Sequence, residues 1–309
     1  MTKLETKKSN LIGMVDISRD TLFDILKLTK SLKAAPLSKV QSLEKKTIAL
    51  IFAKPSLRTR VSFEVGINQL GGQPVTIKME EISVGTRENV EDIANVLSRY
   101  VSGIVIRTFE HKQVKDLAQS SQVPVINGLS DEEHPCQIIS DLFTIQEMFS
   151  SLDGLKLTYV GDGNNVVHSL MIGCALAGVD ISVATPDNYR PDEKFLELAK
   201  KINSKIKIEV IDDPKMAAKN ANVLYTDVWT SMGQEKEMET RKKIFARYQI
   251  NDELLSVADK KAIVLHCLPA HKEQEITSSV FDKFSNIIYE QAENRLHAQK
   301  AILINLISE

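Results

Sequence analysis

Thr47-Ile-Ala-Leu-Ile-Phe52 is followed by Ala53-Lys-Pro-Ser-Leu-Arg-Thr-Arg60 and then by Val61-Ser-Phe-Glu-Val-Gly-Ile-Asn-Gln-Leu-Gly-Gly72. The first six residues form a continuous apolar, β-branched run, the pattern of a strand covered on both faces. Pro55 fixes the entry to the next element, and Ser56 suits a helix N-cap. Leu57 to Leu70 reads as a helix stopped by Gly71-Gly72. Strand, polar turn and helix in that order form the repeating unit of a parallel α/β sheet.

The unit recurs along the chain. Further strand candidates are Pro74 to Lys78, Gly103 to Ile106, Val123 to Ile126, Lys156 to Val160, Ile181 to Ala184, Lys207 to Ile211, Val223 to Tyr225, Ala262 to Leu265 and Asn286 to Tyr289. Helical faces lie between them. Val90, Ile93, Ala94, Leu97 and Tyr100 recur at three- to four-residue spacing, as do Ile138, Leu142, Ile145 and Phe149. This order predicts doubly wound parallel sheets. The turn-rich Ser150-Ser-Leu-Asp-Gly154 marks a domain boundary near residue 150. A final helix, about Ala292 to Leu306, closes the chain.

A length of 309 residues fits two such domains. Apolar residues make up 43% and charged residues 26%, enough to bury sizeable cores. The net charge of −2 gives no global field for nucleic acid or a membrane surface. Cys136, Cys174 and Cys267 are odd in number and lack CxxC spacing, which fits a reducing compartment rather than a disulfide framework. Met1 to Asn10 has no apolar signal core, and no apolar run approaches the ~20 residues of a membrane span. The cytoplasm is the expected location.

In open α/β sheets, ligands bind beyond the carboxyl ends of the strands, so the residues after each strand matter most. Six strand ends carry polar groups. They are Ser56-Leu57-Arg58-Thr59; Arg107; His134-Pro135-Cys136-Gln137; Gly161-Asp-Gly-Asn-Asn165; Asp227 with Ser231-Met232; and His266-Cys267-Leu268. The helix start at Ser56 offers free N–H groups and partial positive charge to an anion, with Arg58 and Thr59 at its mouth. The same segment also reads as a basic, solvated first turn. Arg107, at the end of an apolar strand, needs an anionic ligand or a structural partner. His134, held extended by the following proline, is either structural or catalytic. Cys267 is a candidate thiol or an inert buried one, and Asp227 a ligand or a cap. The Gly161 run lacks the dinucleotide fingerprint, the P-loop and nucleophile-elbow motifs are absent, and no metal-ligand spacing is present.

Taken together, the segments resemble the aspartate/ornithine carbamoyltransferase family, and within it the branch using ornithine. The matching stretches are KPSLRTRVSFE (Lys54 to Glu64), RTF (Arg107 to Phe109), HPCQ (His134 to Gln137), GDGNN (Gly161 to Asn165), DVWTSMG (Asp227 to Gly233), HCLPAH (His266 to His271) and ENRLHAQKA (Glu293 to Ala301). They occur in family order and span nearly the whole chain.

The resemblance implies two doubly wound parallel-sheet α/β domains joined by long helices. Residues 1–150 would bind carbamoyl phosphate, with the last helix, about 292–309, packing back on them. Residues 151–291 would bind ornithine. It further implies transfer of the carbamoyl group to the side-chain amine of L-ornithine, giving citrulline and phosphate within arginine metabolism. The assembly would be a homotrimer or a multiple of one, with no metal and no organic cofactor.

Roles carry over by position. Ser56, Arg58 and Thr59 would hold the phosphate. Arg107 would bridge the phosphate and the carbonyl oxygen. His134, Thr59 and Arg295 would polarise that carbonyl, and Gln137 would bind the carbamoyl amide. Asn165 would take the ornithine carboxylate, and Asp227 and Ser231 its α-amino group, with the Met232 backbone nearby. Cys267 and the Leu268 carbonyl would sit beside the reacting centre. Leu57 replaces a threonine of many relatives, so only its backbone N–H would serve the phosphate. Ser83 replaces a glutamine in the loop expected to reach a neighbouring subunit. Rival readings are a relative using aspartate, acetylornithine or putrescine, and a silent binding subunit. The intact Arg58, Thr59, Arg107, His134, Gln137 and Arg295 argue against silence.

Overall fold

The computed structural model describes residues 9–35, 41–53, 56–82, 88–230 and 235–307. The chain forms two compact units, one of Met1–Cys136 with Arg295–Glu309, the other of Gln137–Asn294.

The first unit contains α1 (Arg19–Ala34), β1 (Thr47–Phe52), α2 (Leu57–Gln69), β2 (Gln73–Lys78), α3 (Met79–Ile82), α4 (Val90–Leu97), β3 (Gly103–Arg107), α5 (His111–Ser120), β4 (Val125–Leu129) and the first two residues of α6 (Pro135–Phe149). Its sheet is parallel, in the order β2-β1-β3-β4. Central β1 and β3 are almost wholly buried, which is why they read as unbroken apolar runs. β2 is an exposed edge strand, where Pro74 is tolerated because its missing N–H leaves no gap in a central ladder. Ile51, Ile104, Ile106 and Leu117 pack in this unit's core.

The second unit continues α6 and adds β5 (Lys156–Val160), α7 (Asn165–Ala177), β6 (Asp180–Ala184), α8 (Glu193–Ile202), β7 (Ile208–Ile211), α9 (Pro214–Ala218), β8 (Val223–Thr226), α10 (Met238–Phe245), α11 (Asp252–Val257), β9 (Ile263–His266) and α12 (Ser278–Ile307) as far as Asn294. Its parallel sheet runs β7-β6-β5-β8-β9. Leu224, Phe245, Tyr248, Val264 and Phe284 belong to its core. The chain passes between the units inside α6 and again inside α12. No described helix is long and apolar enough to cross a membrane.

Each sheet has a point where strand order reverses: between β1 and β3 in the first unit, and between β5 and β8 in the second. These switch points open crevices at the strand ends. The loops leaving β1, β3, β5 and β8 carry most of the polar groups that end the strands.

Two expectations need correcting. Asn286 to Tyr289 is not a strand but part of α12, which starts at Ser278 rather than near Ala292. Val280, Phe281, Phe284 and Ile288 are buried at helical spacing while Tyr289 is exposed, so the local Ile287-Ile288-Tyr289 run misstates the period. β4 begins at Val125 rather than Val123, because Pro124 has no N–H to give the ladder.

Candidate active site

In the first unit the site grows from the β1–β3 switch point. Ser56 holds the N-cap position of α2 in extended geometry, yet its hydroxyl does not cap the helix. The first-turn N–H groups are therefore not consumed by that side chain. Arg58 lies half-buried on the first turn, and Thr59 is fully buried. Leu57 is 72% exposed and turns its side chain to the surface.

Sheet register brings the next group in. Arg107, the last residue of β3, lies opposite Phe52 of β1. On its other side the ladder slips, with Ile106 facing Asn127 and Arg107 facing Leu129. A bulge of this kind re-aims the side chain beside it. Gly128 is the residue passed over, and a Cβ there would press 3.3 Å from the Ile106 carbonyl oxygen and 3.5 Å from Thr59 Cγ2.

Arg107 Nη1 donates to Thr59 Oγ1 at 3.0 Å, and Arg295 Nη2 donates to the same oxygen at 3.0 Å. Two cationic groups thus lie within about 6 Å of each other across one neutral hydroxyl, a repulsive arrangement that an anion would relieve. The hydroxyl accepts twice, so its single O–H is left to donate in a direction the two guanidiniums set.

His134, buried just ahead of α6, is held well below the ordinary histidine range. Burial is the main cause, followed by the positive charges of Arg295, Arg107 and Arg58. A neutral ring offers one N–H donor. The expected result of an NMR titration is that His134 stays neutral through the region near pH 6.5 where an ordinary histidine protonates. The unfolded chain does take up that proton, so this residue's contribution to stability is present above about pH 6.5 and declines as the pH falls. A ring that titrates with an ordinary midpoint would refute both statements. Cys136 is buried, donates to the Asn127 carbonyl at 3.4 Å and has its thiol pushed up to about 12, so it is inert.

The second unit gathers its own cluster at the β5–β8 switch point. Gly163 is required by close approach, since a Cβ there would lie 2.3 Å from Pro191 N and 2.4 Å from the Tyr189 carbonyl oxygen. Asn164 caps α7, its Oδ1 accepting from Val166 N at 3.0 Å and Val167 N at 3.4 Å. That fixes the amide's direction, and Nδ2 donates to Asp227 Oδ2 at 2.8 Å. Asn165 is the half-buried first residue of α7. Cys267 Sγ donates to the other oxygen, Asp227 Oδ1, at 3.0 Å. Leu268 adopts φ +60°, costly for a bulky residue, and its N–H donates to His266 Nδ1 at 2.9 Å. The His266 proton therefore sits on Nε2, which meets Glu275 Oε1 at 3.1 Å. Asp227, His266 and Cys267 lie within 4.8 Å of one another, but the imidazole has no lone pair left for a metal.

Asp162 meets Arg241 Nη1 at 3.0 Å. Arg241 also donates to the Trp229 carbonyl at 2.9 Å and to Glu237 at 3.0 Å, and stacks over Tyr189. Burial lifts the Asp162 carboxyl to about 6 against the pull of Arg241. Gln137, buried on α6, donates from Nε2 to Asp141 Oδ1 at 2.8 Å. Thus Ser56, Arg58, Thr59, Arg107, His134 and Arg295 fall in one unit, and Gln137, Asn165, Asp227, Cys267 and Leu268 in the other. Pro55, Ser83, Ser231 and Met232 lie outside the described residues.

Sequence reasoning missed Asn164, Asp141 and Arg241. An asparagine directly before a helix signals a cap and could have flagged Asn164. Nothing local flags Arg241.

Residues 9–147 match the family model of the aspartate/ornithine carbamoyltransferase carbamoyl-P binding domain, and residues 153–306 that of the Asp/Orn binding domain. The chain belongs to the aspartate/ornithine carbamoyltransferase family. Among its relatives, the ornithine carbamoyltransferase of Nostoc punctiforme is 49% identical over 96% of this chain and 97% of its own length. That of Archaeoglobus fulgidus is 46% identical over 97% and 98%. The solved structure of the Pyrococcus furiosus ornithine carbamoyltransferase superposes with a TM-score of 0.92 at 45% identity, covering 96% of each chain. A carbamoyltransferase of this family needs donors for an anionic acyl donor and a separate hold on an amine-bearing acceptor.

Proposed function

We propose that the chain transfers the carbamoyl group of carbamoyl phosphate to the side-chain amine of L-ornithine, yielding L-citrulline and phosphate. The observation that carries this is the shared Thr59 hydroxyl, gripped by Arg107 and Arg295 beside a neutral His134.

Carbamoyl phosphate is taken by residues 1–150 together with the returning helix of about 292–309. The first turn of α2, with Ser56, the Leu57 N–H, Arg58 and Thr59, receives the phosphate. Arg107 spans the phosphate and the carbonyl oxygen. Thr59, His134 and Arg295 complete the donors to that oxygen. Charge grows there as the amine attacks, and each pre-aimed donor contributes roughly 2.7–4 kcal/mol to the transition state. Gln137 holds the carbamoyl amide.

Ornithine is taken by residues 151–291. Asn165 meets its carboxylate, and Asp227 and Ser231 its α-amino group, beside the Met232 backbone. The attacking side-chain amine must be neutral, although a free alkyl amine near pKa ~10.4 is mostly protonated at pH 7. Cationic neighbours and exclusion of water disfavour its ammonium form. Cys267 and the Leu268 carbonyl stand beside the attack, and the departing phosphate accepts the later proton. The donors needed at the carbonyl are all side chains, and the reaction calls for no redox partner.

Self-association as a homotrimer, or a multiple of trimers, is part of the proposal, with Ser83 in the loop reaching the neighbour. Leu57, Val61 and Val65 form an exposed apolar row at four-residue spacing on α2, an arrangement that supports an interface. The cytoplasm suits an enzyme with three free thiols, two of them buried.

The test is citrulline formation from carbamoyl phosphate and ornithine, run alongside aspartate, acetylornithine and putrescine, with the particle mass measured on the same preparation. Turnover should appear with ornithine at a three-chain mass or a multiple of it. Turnover with a different amine would move the acceptor assignment. Carbamoyl phosphate binding without turnover would favour a silent subunit, and a monomer would remove the trimer.

A further inference from the structure

Asp141 lies one helical turn beyond Gln137 on α6, and both are buried. Three side chains from three elements converge on its carboxylate. Gln137 Nε2 and Gln291 Nε2, the latter on α12, each donate to Oδ1 at 2.8 Å, and the Tyr225 hydroxyl of β8 donates to Oδ2 at 2.8 Å. A buried carboxylate is tolerated when donors satisfy it in this way.

The directions of these bonds are not interchangeable. The His266 backbone N–H donates to Gln291 Oε1 at 2.9 Å, and a backbone N–H cannot reverse. Gln291 must therefore turn its NH2 toward Asp141. A carboxylate only accepts, so the end of Gln137 that faces it must also be NH2, and Gln137 Oε1 is turned away. The two ends of a glutamine amide are nearly the same size. Without such a lock the group can flip at little steric cost.

Orientation decides what Gln137 recognises. Taking carbamoyl phosphate as the donor, the reading proposed for this chain, a carbonyl presented by Gln137 accepts from the carbamoyl NH2. A flipped amide presents donors instead and gains nothing from that group. We infer that Asp141 is a positioning residue that fixes the Gln137 amide and thereby makes the site select an acyl phosphate bearing NH2 over one bearing a methyl group. Asp141 does not touch the substrate. It acts through Gln137, backed by Tyr225, Gln291 and the His266 backbone. An ordinary Gln–Asp pair one turn apart would steady the helix by a few tenths of a kcal/mol, but that role alone has no bearing on which acyl group is preferred.

The test measures binding rather than turnover. Phosphonoacetamide, its methyl-ketone isostere 2-oxopropylphosphonate and inorganic phosphate are titrated calorimetrically into the wild-type enzyme and Asp141→Asn. Asparagine can donate as well as accept, so it no longer dictates the amide's direction. The wild type should prefer the amide over the ketone, and Asp141→Asn should lose about tenfold of that preference, the value of one hydrogen bond. Phosphate affinity should be unchanged. An intact preference in Asp141→Asn overturns the positioning role. A wild type that binds none of the three overturns the donor assignment itself.

Should Asp141→Asn fail to fold, the wild type still decides. The Gln137 side-chain NH2 protons should stay protected from exchange before and after phosphonoacetamide is added. Their loss of protection on binding would mean that the amide leaves Asp141, and would overturn the inference.

Discussion

Arg107→Ala lowers kcat/KM for carbamoyl phosphate by about a hundred- to a thousandfold, the usual loss for one pre-aimed donor to a developing oxyanion. The size follows from the double duty of Arg107. Its guanidinium supplies positive charge to the donor, and its Nη1 bond fixes the Thr59 hydroxyl from one side. Without it, Thr59 is held by Arg295 alone and its O–H loses a set direction. Lysine should restore little, because a single ammonium cannot reproduce the planar fork. The fold should survive, since β3 is held by backbone pairing with β1 and β4 on either side of the side chain. Steady-state kinetics together with a thermal melt check both halves. Near-normal kcat/KM would remove Arg107 from the donor site. A collapsed melt would show that its role is structural.

The largest stability effect is expected at Arg241. Arg241→Met leaves the buried Asp162 carboxyl without its cation and the Trp229 carbonyl without its donor, at a cost of about 3–5 kcal/mol. Pairing it with Asp162→Asn should recover much of the loss, because removing both charges of a buried pair costs far less than stranding one. The penalty also depends on pH. Burial already holds the Asp162 carboxyl near 6, and loss of Arg241 raises it further. As pH falls through about 6 the carboxyl becomes neutral with or without the arginine, so the gap between wild type and variant narrows. Urea denaturation at neutral pH and at pH 5 measures this. A gap that widens on acidification contradicts the electrostatic origin. A single variant no less stable than the wild type removes the pair from the stabilising contacts.

Much of the fold is legible in the sequence, and for a definite reason. β1 and β5 appear with the bounds their apolar runs predict, because a strand covered on both faces needs a continuous apolar stretch and the polar residues after it end the run. The stop of α2 is similarly local, with Gly71 taking the left-handed conformation just past Leu70. The failure at Asn286 to Tyr289 has the converse cause. Three apolar residues in a row are compatible with either period, and only the burial of Val280, Phe281, Phe284 and Ile288 along one face selects the helix.

The site divides in the same way. The chain alone determined which chemical groups end its strands: a serine and two arginines at helix- and strand-ends, a histidine before a proline, an asparagine pair, an aspartate and a cysteine. Residue type and strand position are local properties, written in a few neighbouring residues. Only the tertiary structure decided which of them touch. Thr59 meets Arg107 across 48 residues and Arg295 across 236. Those contacts depend on strand order, on a one-residue slip between β3 and β4, and on the return of α12, and no local pattern encodes them. The Gln137 amide takes its direction from Asp141, one helical turn on, but the partners that hold that carboxylate, Tyr225 and Gln291, come from 84 and 150 positions away and meet it only in the folded chain.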